Sequence, residues 1–215
     1  MKKIGIIGSG MVGQSLAKGF SKHGYRVMIG TRDLSKAKGW ETASDEHITA
    51  GSFAETAAFG DIIVLAVKGT VAKEALQLAG AENLKGKTII DATNPIDDKA
   101  GPENGVLRFF TDMNKSLMET LQEAYPRAHF VKAFNSIGSV FMVNPDFESK
   151  PTMFICGNTD EAKTEASRIL DQFGFETEDM GTAEAARAIE PLCMLWCIPG
   201  FRENRWSHAF RLMKQ

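Results

Sequence analysis

The chain has 215 residues, 43% of them hydrophobic and 24% charged, and its net charge is −2. The apolar share excludes a disordered chain, and the charge balance lacks the basic footprint of a nucleic-acid binder. No run approaches the ~18 apolar residues that span a bilayer, the apolar start at Ile4–Ile7 is too short for a secretion signal, and three cysteines close no disulfide framework. A cytoplasmic protein without a membrane or nucleic-acid partner is expected.

Short apolar runs alternate with helical patterns along the chain. Residues 3–7 read as a strand, and 11–22 as a helix with Val12, Leu16, Ala17 and Phe20 facing inward. Strand 26–30, helix 34–43 and a weak strand at 47–50 follow. Residues 62–67 (IIVLAV) form the most apolar strand, then come helix 70–79 and strand 88–92. Such continuous apolar strands are those covered by helices on both faces. The alternation implies βαβ units and a parallel sheet. Residues 94–114 break the pattern with Pro95, Gly101, Pro102 and Gly105, so a long loop is expected there. Helix 116–125, strand 129–133, strand 153–157, helix 160–173 and strand 176–180 come next. A helix is expected at 183–196, a break at Pro199-Gly200, and a closing helix at 206–213. The predicted fold is a single α/β domain over 1–215. Its doubly wound, Rossmann-type parallel sheet fills about 1–180, and a short helical elaboration fills about 181–215.

Gly8-Ser9-Gly10-Met11-Val12-Gly13 fits G-x-G-x-x-G and sits between a predicted strand and a predicted helix, the context that gives the pattern meaning. The first glycine makes a tight turn, the second admits a pyrophosphate, and the third allows close helix packing. The helix start offers free N–H groups to phosphate. Gly86-Lys87-Thr88 resembles a phosphate loop, but it leads into a strand rather than out of one and is rejected. At the end of the second strand an NAD site places a carboxylate on the ribose. Here Thr31 and Arg32 stand first, with Asp33 next and Lys36 beyond. Hydroxyl, guanidinium and ammonium suit a 2′-phosphate, so NADP(H) is favoured, the alternative being that Asp33 takes the ribose.

The remaining residues limit the chemistry. Neither Tyr25 nor Tyr125 has a lysine four residues on, so the short-chain dehydrogenase pair is missing. The chain after Gly181 is too short for the large helical domain of hydroxyacid and imine reductases. His23, His47, His129 and His208 are isolated, and Cys193 and Cys197 read as apolar helix residues. No catalytic proton donor is identified, Asp91, Lys68 and Lys132 being more simply structural. Reducing a carbonyl ordinarily needs such a donor; reducing a flavin-like ring asks mainly for orientation. Asn94 and Asn135, each closing a strand, carry the donor and acceptor a nicotinamide carboxamide needs, and Phe134 could pack the ring. The reading is hydride transfer between NADP(H) and a flavin or deazaflavin. The alternatives are a non-catalytic NADP(H) sensor and a reductase of a small carbonyl or imine.

GSGMVG, GTRD with Lys36, DATNP, VKAFNSIG, MFICGN and IEPLCMLW together resemble the deazaflavin (coenzyme F-420)-dependent NADP reductase family. They are also similar to the cytosolic reductase domain of the six-transmembrane metalloreductases. The resemblance implies that Gly8, Ser9, Gly10, Met11 and Val12 hold the pyrophosphate, and Thr31, Arg32 and Lys36 the 2′-phosphate. It places Ala66, Val67 and Lys68 by the adenosine and ribose, and Asn94, Pro95, Ala133 and Asn135 by the nicotinamide. Pro191–Trp196 would flank the second ring, and a homodimer acting on a small-molecule hydride acceptor is implied, with no metal site.

Overall fold

The computed structural model describes residues 2–35 and 47–215. Six parallel strands form the main sheet: β1 (Lys3–Ile7), β2 (Arg26–Gly30), β3 (Ile48–Gly51), β4 (Ile62–Leu65), β5 (Thr88–Asp91) and β6 (His129–Lys132). Their order is β3-β2-β1-β4-β5-β6, the doubly wound Rossmann order, which reverses direction between β1 and β4.

Burial explains why these strands read as unbroken apolar runs. Ile62 and Val64 of β4 enter one core cluster, and Ile63 and Leu65 enter the other, on the opposite face. On the first face, helix α1 (Met11–Lys22) buries Leu16, Ala17 and Phe20, and α6 (Asp160–Gln172) buries Ala162, Ala166, Ile169 and Leu170. The second face is covered by α2 (Phe53–Phe59), α3 (Ala72–Ala79), the single turn α4 (Ala81–Leu84) and α5 (Leu117–Ala124).

Several expectations are refined. Helix α2 was not foreseen; a capping box between Ser52 and Glu55 starts it. Lys87, rejected as a phosphate-loop lysine, donates to the carbonyls of Ala57 and Gly60 at the end of α2, both at 2.6 Å. Strands β7 (Thr152–Ile155) and β8 (Glu176–Asp179) form a separate parallel pair, tied to the main sheet by one antiparallel bridge between Lys132 and Cys156. Residues 94–114 contain no regular element but are pinned by isolated bridges, Ile96 to Phe109, Glu103 to Val106 and Asp112 to Lys115. Most of the helix expected at 34–43, with Lys36, lies outside the described residues.

The carboxyl-terminal expectation is corrected twice. After α7 (Ala186–Ile189), helix α8 runs over Pro191–Glu203, straight through Pro199-Gly200. Proline forfeits one helical N–H bond, and the indole of Trp206 lies against Gly200 where a Cβ would meet it at 2.2 Å. The helix ends instead at Asn204, in the left-handed conformation. Residues 206–213 are not helical. They lie beside β7: Thr152 N donates to Phe210 O (2.8 Å) and Leu212 N to Thr152 Oγ1 (3.0 Å).

Candidate functional site

Strand register assembles the site. Gly30, Ile7, Leu65, Asp91 and Lys132 are successive cross-strand partners. The next residue of each strand therefore leaves the sheet in one row: Thr31, Gly8, Ala66, Ala92 and Ala133. Hydrogen bonds hold that row, from Gly8 N to Gly30 O (3.2 Å), Ala66 N to Ile7 O (2.8 Å), Ala92 N to Leu65 O (3.1 Å) and Ala133 N to Asp91 O (3.1 Å). The crevice beyond such a row, at the reversal point, is where open α/β sheets bind ligands.

The glycine loop sits at that reversal. Gly8 has φ 122°, and a Cβ there would meet Ala66 O at 2.3 Å. A Cβ on Gly13 would strike Gly8 O at 2.0 Å, so the third glycine lets α1 pack on the loop. A Cβ on Gly10 would meet nothing within 4 Å, and Gly10 caps α1 without any side-chain hydrogen bond. The helix thus opens without a side-chain cap, its first N–H groups lacking intrahelical acceptors. Ser9 and Val12 are half-buried, and Met11 is exposed.

At the end of β2, Thr31 is buried and Arg32 exposed. Ser9 Oγ reaches Thr31 Oγ1 at 3.4 Å, linking this corner to the glycine loop. The Asp33 carboxylate accepts from Ser35 N (3.0 Å) and Ser35 Oγ (2.6 Å). Across the reversal, Ala66 is buried, Val67 half-buried and Lys68 exposed. Lys68 pairs with Asp98 of the long loop at 3.2 Å, and Thr70 donates to the same oxygen at 3.3 Å. The Lys68 hydrogen bond leads in holding Asp98 below the usual carboxylate range.

At the far end, Asn94 and Asn135 clasp one another. Asn135 Nδ2 donates to Asn94 Oδ1 (3.2 Å) and to Ile189 O (2.9 Å), while Asn94 Nδ2 donates to Asn135 O (2.8 Å). Two carbonyl partners fix the Asn135 amide orientation, and its buried Oδ1 has no partner among the described residues. Pro95 and Ala133 are buried beside them. Phe134 holds φ 61°, an uncommon conformation for a bulky residue and a mark of a constrained site. Its ring belongs to the core, 6.1 Å from Phe173 and 6.2 Å from Phe175, so it is not a platform for a bound ring.

Beneath the clasp lies a charge cluster that sequence reasoning only half found. Lys132 Nζ contacts Asp91 Oδ2 at 2.7 Å, Glu190 Oε1 at 2.9 Å and Thr93 O at 3.0 Å. Lys132 and Asp91 are fully buried and Glu190 is 2% exposed. Burial opposes the ammonium charge, but the two carboxylates outweigh it and hold Lys132 well above the ordinary lysine range. Asp91 Oδ1 accepts from Thr93 N and Oγ1. Glu190 also accepts from Leu117 N and Met118 N, both at 3.0 Å, capping α5. A lone acid in the apolar stretch IEPLCMLW was the available signal for Glu190. In that stretch Cys193 and Trp196 are buried, while Leu195 is exposed. Trp196 stacks on His208 and donates to its carbonyl at 2.9 Å.

Fold and site together define a dinucleotide-binding α/β protein. Residues 3–95 match the model of the family described as NADP oxidoreductase, coenzyme F420-dependent. The crystal structure of a candidate F420-dependent NADP-reductase from Arthrobacter sp. FB24 superposes with a TM-score of 0.92 at 30% identity, over 100% of both chains. The F420-dependent NADP reductase of Methanothermobacter marburgensis is 29% identical, over 90% of each chain. Metalloreductase STEAP3 of Rattus norvegicus is 29% identical over 92% of this chain and 38% of its own length; the chain spans about two fifths of that relative. The chain belongs to the coenzyme F420-dependent NADP oxidoreductase family, whose members are NADP-dependent oxidoreductases. No helix among the described residues is long and apolar enough to cross a membrane.

Proposed function

We propose that the chain binds NADP(H) along the row of strand ends and passes hydride between it and a flavin or deazaflavin acceptor, coenzyme F420 being the family's example. The observation that carries this is the register row. It delivers the uncapped start of α1, the Thr31-Arg32 corner and the Asn94–Asn135 clasp to one edge of the sheet. Gly8, Ser9, Gly10, Met11 and Val12 would hold the pyrophosphate, where a Cβ at Gly8 would collide but the space at Gly10 is open. Thr31, Arg32 and Lys36 would take the 2′-phosphate. Asp33 is already engaged by Ser35, which favours NADP(H) over NAD(H). Ala66, Val67 and Lys68 would border the adenosine half, and Asn94, Pro95, Ala133 and Asn135 the nicotinamide, with Asn135 Oδ1 left to accept from the carboxamide.

When bound, the cofactor supplies or receives the hydride; the protein orients it. The protons available support this acceptor class. All three Lys132 N–H groups are taken by Asp91, Glu190 and Thr93, so none is left to protonate a carbonyl oxygen. A conjugated ring does not require that service from the protein. We read residues 1–215 as one domain working in the cytoplasm as a homodimer. The test is to mix protein, NADPH and FMN, FAD or deazaflavin and follow the nicotinamide absorbance. Turnover with a ring acceptor supports the proposal. NADPH binding without turnover on any of them indicates a sensor instead.

A further inference from the structure

Glu190 occupies the break between α7 and α8, with Pro191 starting the second helix. Almost no solvent reaches it, and both its oxygens are committed. One binds Leu117 N; the other binds Met118 N and the Lys132 ammonium. A structural carboxylate could stop there, as a cap for α5. This one is also joined to the nicotinamide end of the row by two routes. Through Lys132 it reaches Thr93 O, the residue before Asn94. Through the chain itself it is next to Ile189, whose carbonyl accepts from Asn135 Nδ2. Both halves of the Asn94–Asn135 clasp are therefore tethered to Glu190, at a point where Phe134 is held in a strained conformation that surrounding structure must enforce.

Resting on the cofactor reading above, we infer that Glu190 is a positioning residue for the nicotinamide half of the bound nucleotide: it fixes Asn94 and Asn135 through Lys132 and the Ile189 carbonyl. The adenine half, held by the glycine loop and the Thr31-Arg32 corner, is independent of it. The chemistry is a division of labour along the row. The amino-terminal strands grip phosphates, and a carboxyl-terminal acid sets the amide pair that orients the reacting ring.

The experiment compares Glu190→Gln with wild type and with Glu119→Gln. The glutamine keeps the side-chain volume and one carbonyl oxygen but removes the charge that binds Lys132. Glu119 caps the same helix through Ser116 and pairs with Arg187 of α7 without contacting Lys132, so its variant loosens the α5–α7 packing while leaving the Lys132 cluster intact. Calorimetry is run with NADPH and with 2′,5′-ADP, which lacks the nicotinamide half. In Glu190→Gln the affinity for NADPH is expected to fall about five- to tenfold, the worth of one hydrogen bond, while 2′,5′-ADP binds as in wild type. Glu119→Gln is expected to bind both normally. Unchanged NADPH affinity in Glu190→Gln, or parallel loss of both nucleotides, overturns the positioning role. So does an equal NADPH loss in Glu119→Gln. Should Glu190→Gln not fold, Glu190→Asp, which keeps the charge and shortens the reach, is measured with the same outcomes. Failure of wild type to bind NADPH is a separate result and defeats the cofactor reading itself.

Discussion

Replacing Lys132 with methionine would remove one ammonium from between two carboxylates. The side chains of Lys132 and Asp91 have no exposed surface and Glu190 only 2%, so water cannot replace the lost charge. Asp91 Oδ2 has Lys132 as its sole partner among the described residues, and Glu190 would keep only the two N–H groups of α5. Breaking a buried pair by removing one partner costs about 3–5 kcal/mol. For a chain of this size that lowers the melting temperature by roughly 10 °C. The pH dependence gives a second signature. In wild type the folded Lys132 is held above its unfolded value, so its contribution is full below about pH 10 and lost only in stronger alkali. In Lys132→Met a proton can substitute for the missing ammonium, so the deficit narrows as pH falls. Urea melts at about pH 7 and pH 5 measure both effects. A variant within about 1 kcal/mol of wild type at neutral pH, with no relative gain on acidification, would refute the account of this cluster.

Arg32→Ala should weaken NADPH by about 1.5–3 kcal/mol, the worth of a charged hydrogen bond, and leave NADH nearly unchanged; calorimetry with both nucleotides decides. Gly8→Ala forces a Cβ to within 2.3 Å of Ala66 O at φ 122° and should cost about 1–3 kcal/mol of stability and abolish nucleotide binding, read by melting and titration; normal affinity would remove the loop from the site. Glu119 is pushed down to about 2: burial opposes its charge, but Arg187 and Ser116 more than offset that. A depressed carboxyl contributes above its unfolded value and loses that contribution as pH falls through about 4.5 toward 2. Arg187 is 40% exposed, so solvent screens the pair, and Glu119→Gln should flatten the acid limb of the stability curve only modestly.

What was legible in the sequence follows from how each feature is held. Strands buried on both faces read as apolar runs, and the residues of the candidate site were readable because they are the first to leave those strands. Helix α2 was missed because FAETAAF is short and alanine-rich, with no long apolar period, although Ser52-x-x-Glu55 marked its start. The Pro199-Gly200 break was a sound local reading overridden by Trp206 packing on Gly200. The helix expected at 206–213 gives way to tertiary contacts: Phe210 O and Leu212 N bond to Thr152, and His208 O accepts from Trp196. Glu190 stood out only as an acid in an apolar stretch; its role was illegible because its partner Leu117 lies 73 residues away, and no local pattern encodes a tertiary ion cluster. Only the fold explains an acid inside an apolar stretch.

That cluster also constrains how turnover should respond to pH. A group acting as general acid or base must exchange its proton during the reaction, and the rate then follows its titration. The ionisable side chains beneath the Asn94–Asn135 clasp include Asp91, Lys132 and Glu190, and each is bound to the others or to main-chain groups. Lys132 stays charged throughout the neutral range, since it is held above the ordinary lysine value. With FMN as the acceptor probe, kcat should therefore vary little between about pH 6 and 9. A bell-shaped kcat profile that survives replacement of FMN by FAD would mean that a protein group does move a proton in the rate-limiting step. Orientation alone would then not account for the chemistry.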